Sequence, residues 1–161
     1  MLEGFVQQKL EGDFYVVFVT NEGKKVAIWA HQEGSEPLVW DYHVILVRRY
    51  KREVSVYDMD SFTSFPTALR EYLDKSFREN VKREYLPVFR VVGSEEFLCK
   101  FSSDRSHMLL EGEYISPPPV YPPIQRDQCT TNLFSHFVNV NEKEGYGTVM
   151  TLPQFVQSFS N

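Results

Sequence analysis

Apolar residues along the chain fall into short runs whose spacing changes from region to region. Phe14 to Val19 is a continuous apolar and aromatic run, followed by Thr20-Asn21-Glu22-Gly23 and a second run, Val26 to Trp29; together they read as a hairpin. A polar loop containing Gly and Pro, His31 to Pro37, precedes Leu38 to Val47, which predicts one strand long enough to cross a whole sheet. The charged turn Arg48 to Glu53 leads into another strand, Val54 to Asp58. From Pro66 the period lengthens: Leu69, Tyr72, Leu73 and Phe77 recur at helical spacing, with Pro66 suited to a first turn. Val88 to Val92 predicts a strand, and Ser94-Glu95-Glu96 opens a helix with carboxylates in its first turn and Phe97, Leu98 and Phe101 facing inward.

The segment Ser116 to Pro123 can be neither helix nor central strand, because proline lacks the amide donor and fixes φ. It is expected to run as an extended structural strap of polyproline II type. Asn132 to Val138 then predicts a short helix, Gly147 to Thr151 a short strand, and Thr151-Leu152-Pro153 the start of a last helix through Phe159. This order predicts one α+β domain over residues 1–161, built on a largely antiparallel sheet packed with helices.

Composition narrows the function. Aromatic residues make up 15% of the 161, which favours pleated, half-buried surfaces and supports the sheet. A formal net charge of -5 without a basic run disfavours nucleic acid as a partner. No apolar stretch approaches the roughly 20 residues of a membrane helix, and Met1-Leu2-Glu3-Gly4 lacks the features of a leader, so a cytoplasmic monomer away from membranes is expected. Cys99 and Cys129 are too few for a disulfide framework and are expected to be unpaired. The histidines and cysteines show no C-x-x-C or H-x-x-x-H spacing, so no zinc site is expected.

Strand alternation places Asp41, His43, Ile45 and Val47 on one face, with Val54, Val56 and Asp58 sharing a face on the following strand. If Val47 faces Val54, then Ile45 faces Val56 and His43 faces Asp58, with Cβ atoms roughly 5 Å apart. A carboxylate beside an imidazole fixes its tautomer and stabilises its protonated form, the base-plus-orienter part of a nucleophilic triad; a partly buried ion pair is the bland alternative. Asp41 competes for His43, but direct opposition is closer than the roughly 7 Å between alternate residues of one strand. His107, in the polar cluster Ser103 to Met108, reads equally as a hydrogen-bond knot or a functional group. His31 and His136 are expected at the surface.

The motif Trp40-Asp41-Tyr42-His43-Val44 resembles the protein N-terminal glutamine amidohydrolases. So do Val17 to Glu22, Tyr57-Asp58-Met59-Asp60, Phe101 to Met108, Pro117 to Pro122 and Gly145 to Leu152, in the same order. The resemblance implies a papain- or transglutaminase-like fold, and a Cys-His-Asp triad that converts N-terminal Gln of proteins or peptides to Glu with release of ammonia, as the N-degron pathway requires. It identifies His43 and Asp58 as the family's histidine and aspartate and implies no metal or organic cofactor. The substrate's amino group needs an acidic or carbonyl-lined pocket, for which Asp41 is the candidate. Localisation would be cytoplasmic, with the nucleus also open.

The chain departs from the family in one respect. The nucleophilic cysteine belongs upstream of the first strand, and no residue from Met1 to Asp13 is Cys. The chain thus looks like a member lacking its amino-terminal catalytic segment, expected to be inactive and to leave Phe14 to Val19 or the surroundings of His43 more exposed. A non-catalytic protein that binds Gln- or Glu-bearing N-termini, or an inert fragment, is the alternative.

Overall fold

A computed structural model describes residues 10–31, 36–78, 80–115, 117–118, 120–126 and 129–160. The aromatic and β-branched runs build a six-stranded sheet in which every pairing is antiparallel. Its strands are β1 (Asp13–Thr20), β4 (His43–Tyr50), β5 (Glu53–Tyr57), β6 (Thr67–Ala68), β7 (Val88–Gly93) and β10 (Thr148–Thr151), in the order β10-β7-β1-β4-β5-β6. A separate pair, β2 (Val26–Ile28) and β3 (Leu38–Trp40), lies outside this sheet, as does the small pair β8 (Leu109–Leu110) and β9 (Glu113–Tyr114).

Alternation along β1 divides the interior. Val17 and Val19 join Ile45, Val47, Val56, Phe89 and Val91 beneath helices α1 (Leu69–Ser76) and α3 (Leu152–Phe159), through Leu69, Tyr72, Leu73, Phe155 and Phe159. Phe14, Val16 and Phe18 face the other way, with Leu46, Tyr57 and Val92, against α2 (Ser94–Lys100) and a π-helical turn at Leu133–Phe137. The α+β class and the antiparallel sheet are therefore as expected. Helical layers cover both faces, so Phe14 and Val16 to Val19 are buried and the exposure expected of that run is not met, while Val44 beside His43 is exposed.

Four local expectations are corrected. The Phe14–Val19 run does not form a hairpin with Val26–Trp29, because longer strands take both edges of β1: β4 offers seven paired positions and β7 six, where β2 has three residues. The Asn21 amide closes the intervening turn onto Lys25 and also donates to the Glu84 and Leu86 carbonyls, diverting the chain out of the sheet. The stretch Leu38–Val47 is not one strand. It breaks at Asp41–Tyr42, where the Thr20 hydroxyl donates to the Asp41 carbonyl at 2.6 Å, and its two halves join different sheets.

The β4–β5 register is also two residues from expectation: Val47 faces Val56, Arg48 faces Ser55 and Tyr50 faces Glu53. Only Lys51 and Arg52 form the loop, with Lys51 at φ 56°, the left-handed conformation that tight hairpin turns use. A shift of two keeps every side chain on its expected face. Pro66 follows a cis peptide bond ahead of β6 and is not in the first helical turn.

The described part of the Pro-rich segment is exposed and tied to the polar cluster. Arg105 donates to the Tyr121 carbonyl and Ser103 bridges Ile124. Ser116 and Pro119, the loop residues 32–35 and the segment 1–9 lie outside the described residues.

Candidate active site

The site forms on the α1 face of the sheet, at the end of β4. His43 is the first residue of that strand and shares its inward face with Ile45 and Val47. Asp58 follows β5 directly, where the chain turns: its Oδ1 accepts the Asp60 amide at 3.0 Å, a local bond that ends strand pairing. In the observed register Asp58 is a diagonal neighbour of His43, not its direct partner. The side chains still converge, with His43 Nε2 3.0 Å from Asp58 Oδ1. Both side chains are almost fully shielded from solvent, and His43 Nδ1 lies 4.0 Å from the exposed carboxylate of Asp60.

Two further residues close around the carboxylate. Tyr72, buried on α1, donates its hydroxyl to Asp58 Oδ2 at 2.7 Å. His31, just beyond β2, places Nε2 2.7 Å from the same oxygen. His31 is buried and not at the surface as expected, because the β2–β3 pair folds over this face and brings Trp40 with it. The ring of His31 stands 4.3 Å from that of His43 and 5.3 Å from that of Trp40, and Trp40 is 5.0 Å from His43. Sequence reasoning passed over both Tyr72 and His31. The available signal for His31 was the apolar run through Trp29 and Ala30, which reaches it without a turn residue.

Electrostatics follow from these contacts. Burial alone would raise the Asp58 carboxyl, but donation from His31, the adjoining His43 imidazole and the Tyr72 hydroxyl outweigh it and hold the group far below the usual carboxylate range. Burial, and then the negative charge of Asp58, push the Tyr72 hydroxyl far above its ordinary value, so it stays a donor at any physiological pH. An ionised, triply surrounded carboxylate against an imidazole can orient that ring and stabilise its protonated form.

The other candidates stand apart. Asp41 is exposed on the bend between β3 and β4, its carboxylate accepting the Tyr42 amide at 2.8 Å, so it does not lie on the strand face assigned to it. His107 Nε2 lies 3.3 Å from the Tyr42 hydroxyl, beside a cavity of about 310 Å³ lined by Tyr42, Arg105, Tyr121 and Ile124 among others. Around it, Ser102, Asn132 and Arg126 exchange backbone and side-chain hydrogen bonds that knot the loop. His136 is half-buried, with Nδ1 2.7 Å from the Ser135 hydroxyl. Cys99, exposed, and Cys129, half-buried, are unpaired, and neither joins the His31–His43–Asp58 group.

Comparison with known proteins gives the sequence a family. Residues 3–159 match the sequence profile of a family described as N-terminal glutamine amidase. The chain is 38% identical over 153 residues to the protein N-terminal glutamine amidohydrolase of Danio rerio, covering 91% of this chain and 75% of that protein. It is 37% identical to the Bos taurus protein of the same name, covering 91% and 73%, and 36% identical to the Drosophila melanogaster one, covering 90% and 74%. With a profile match along nearly its whole length and relatives this similar, the chain belongs to the N-terminal glutamine amidase family.

Proposed function

We propose that this fold is built for hydrolysis of the side-chain amide of an N-terminal glutamine, yielding N-terminal glutamate and ammonia, with His43 as the proton-transfer group and Asp58 as its orienter. The observation that carries the reading is the buried contact between His43 Nε2 and Asp58 Oδ1 at 3.0 Å in a chain of this family. With Nε2 held against the carboxylate, Nδ1 is the nitrogen left for proton transfer. A thiolate attacks the side-chain carbonyl carbon, forming a C–S bond. The tetrahedral intermediate collapses as the C–N bond breaks, and protonated His43 delivers the proton with which ammonia departs. Water, deprotonated by His43, then attacks the thioester carbonyl, and glutamate leaves as the thiolate is restored.

In this reading the architecture is of papain or transglutaminase type, and the new N-terminal glutamate enters the N-degron pathway in the cytosol. The substrate is a protein or peptide bearing N-terminal Gln, met by a monomer, and Asp41 contributes a carboxylate to the approach of its amino group. The thiol is the remaining requirement. The sequence contains two cysteines, and both lie outside the His43–Asp58 group. The 161 residues on their own therefore lack the nucleophile and release no ammonia above background, since losing a triad nucleophile lowers kcat by up to about a millionfold.

The experiment pairs two proteins. This chain alone is incubated with a Gln-initiated peptide, and in parallel a fusion is assayed that carries ahead of it the cysteine-bearing segment of a family relative. Ammonia release by the fusion, lost on His43→Ala or Asp58→Ala, is expected. Release by the chain alone that Cys99→Ser or Cys129→Ser abolishes would assign the thiol to that residue, and a fusion that folds but stays inactive would overturn the reading.

A further inference from the structure

We propose that a groove on the α2 face of the sheet, running from beside His43 to the His107 loop, holds the peptide that follows the substrate's N-terminal glutamine. Its far end takes an apolar side chain from one of the next two residues. The glutamine end of this inference rests on the proposed function, the pocket on geometry of its own.

Two cavities of about 310 Å³ each share Val44, Phe97 and Tyr121 in their walls and so form one path. The first is bordered by Asp60, whose carboxylate stands 4.0 Å from His43 Nδ1, the nitrogen left for proton transfer. The second ends among Phe101, Ile124 and Leu133. Val44 follows His43 in β4, and consecutive strand residues emerge on opposite faces. A peptide that rounds the start of β4 therefore passes from one to the other, and at roughly 3.3 Å per extended residue its second or third residue lies over Val44. Val44, Met59 and Tyr121 are exposed along this path, an apolar strip that a bound peptide covers.

The far end is apolar and fixed in advance. Phe97 and Phe101, both half-buried, stack with ring centroids 4.6 Å apart, and the buried Phe18 ring lies 6.2 and 6.4 Å from them. The opposite wall is latched to the polar loop. The Ser103 amide donates to the Ile124 carbonyl at 2.7 Å, and Arg105 donates to the Tyr121 carbonyl while lying 4.9 Å over that ring. A cavity at the small end of the range for ligand sites, with walls already in place, suits one large side chain at low ordering cost.

His107 selects an extended peptide over a helix as the occupant. It lines the cavity with its Nε2 3.3 Å from the Tyr42 hydroxyl, and its Nδ1 is buried with no hydrogen-bond partner among the described residues. Such a nitrogen carries a desolvation cost until a ligand supplies the missing group. An extended peptide brings backbone N–H and C=O groups still to be paired, whereas a helix has already paired its own.

The purified chain is titrated by calorimetry at pH 7 with the peptides Gln-Gly-Gly-Ser-Gly, Gln-Leu-Gly-Ser-Gly and Gln-Gly-Leu-Ser-Gly. One leucine peptide should bind at least about tenfold more tightly than the glycine peptide, the gain expected from burying that side chain. The His107 ring resonances should shift on binding. Val44→Trp, at an exposed position in the shared wall, should remove the leucine preference, and Ile124→Ala should reduce it at least about threefold. Equal affinity for all three peptides, absent binding included, a preference unchanged in both variants, or His107 resonances that stay fixed at saturation would overturn the proposal. Turnover by the fusion carrying the cysteine-bearing segment separates this inference from the proposed function. A fusion that releases no ammonia, beside a leucine preference that the variants weaken, sinks the reaction and leaves the pocket. A fusion that hydrolyses all three peptides with equal kcat/KM keeps the reaction and sinks the pocket, the added segment then being what fills the groove.

Discussion

Replacing Tyr72 by Phe removes one oxygen from the best-shielded part of the site. The side chain is fully buried and its hydroxyl donates to Asp58 Oδ2 at 2.7 Å, so the ring stays in place and the carboxylate loses a donor that water cannot replace. A hydrogen bond to a charged group contributes about 1.5–3 kcal/mol, which sets the expected loss near 2 kcal/mol at pH 7. With a urea m value of about 2 kcal/mol/M, the midpoint should fall by about 1 M at unchanged m.

The pH dependence follows from the depressed Asp58 carboxyl. A carboxyl lowered on folding contributes stability that is fully present above its unfolded value of about 3.9 and is lost as pH falls toward its lower folded value. Tyr72→Phe raises that folded value, so the gap between wild type and variant should be largest at neutral pH and should narrow below about pH 4. Urea melts followed by tryptophan emission at pH 7, 5 and 3.5 measure it. A midpoint shift below about 0.25 M at pH 7, or a gap that widens on acidification, would refute the assignment of Tyr72 as a donor to an ionised Asp58.

Arg90 is buried on β7 and donates to four carbonyls, those of Asn139, Asn141, Glu144 and Tyr146, at 2.6 to 2.9 Å. Arg90→Lys cannot reproduce that fork and should cost about 2–4 kcal/mol, with hydrogen exchange rising across residues 139–146; unchanged exchange there would show that the loop holds itself. Gly147 has φ +68°, and a Cβ there would lie 2.1 Å from the Val91 carbonyl oxygen. Gly147→Ala should therefore lower the thermal midpoint by several degrees, about 2 kcal/mol or more, by pushing β10 off β7, and calorimetry would show a wild-type midpoint if the strand can yield.

Much of the architecture was legible in the pattern of apolar residues. Helices α1, α2 and α3 and strand β7 lie close to where Leu69, Tyr72, Leu73, Phe97 and Phe155 place them, because amphipathic periodicity is a local property that burial preserves. The inward faces of β4 and β5 were legible for the same reason. Strand alternation has a period of two, so His43 and Asp58 stay on one face even though the register moved by two. The antiparallel class followed from the same short strands.

Partner choice was beyond local pattern. Which strand flanks β1 depends on how many backbone bonds distant segments can offer, and β4 and β7 outcompete the adjacent β2. That competition sends β2 and β3 over the α1 face, buries His31 against Asp58 and breaks the Leu38–Val47 run at Asp41. A histidine in a polar loop reads as exposed until the burying surface is known, and that surface comes from segments remote in the chain. Pairing of the dyad is thus written in alternation, while its enclosure by His31, Trp40 and Tyr72 arises from long-range packing that no short window of sequence contains.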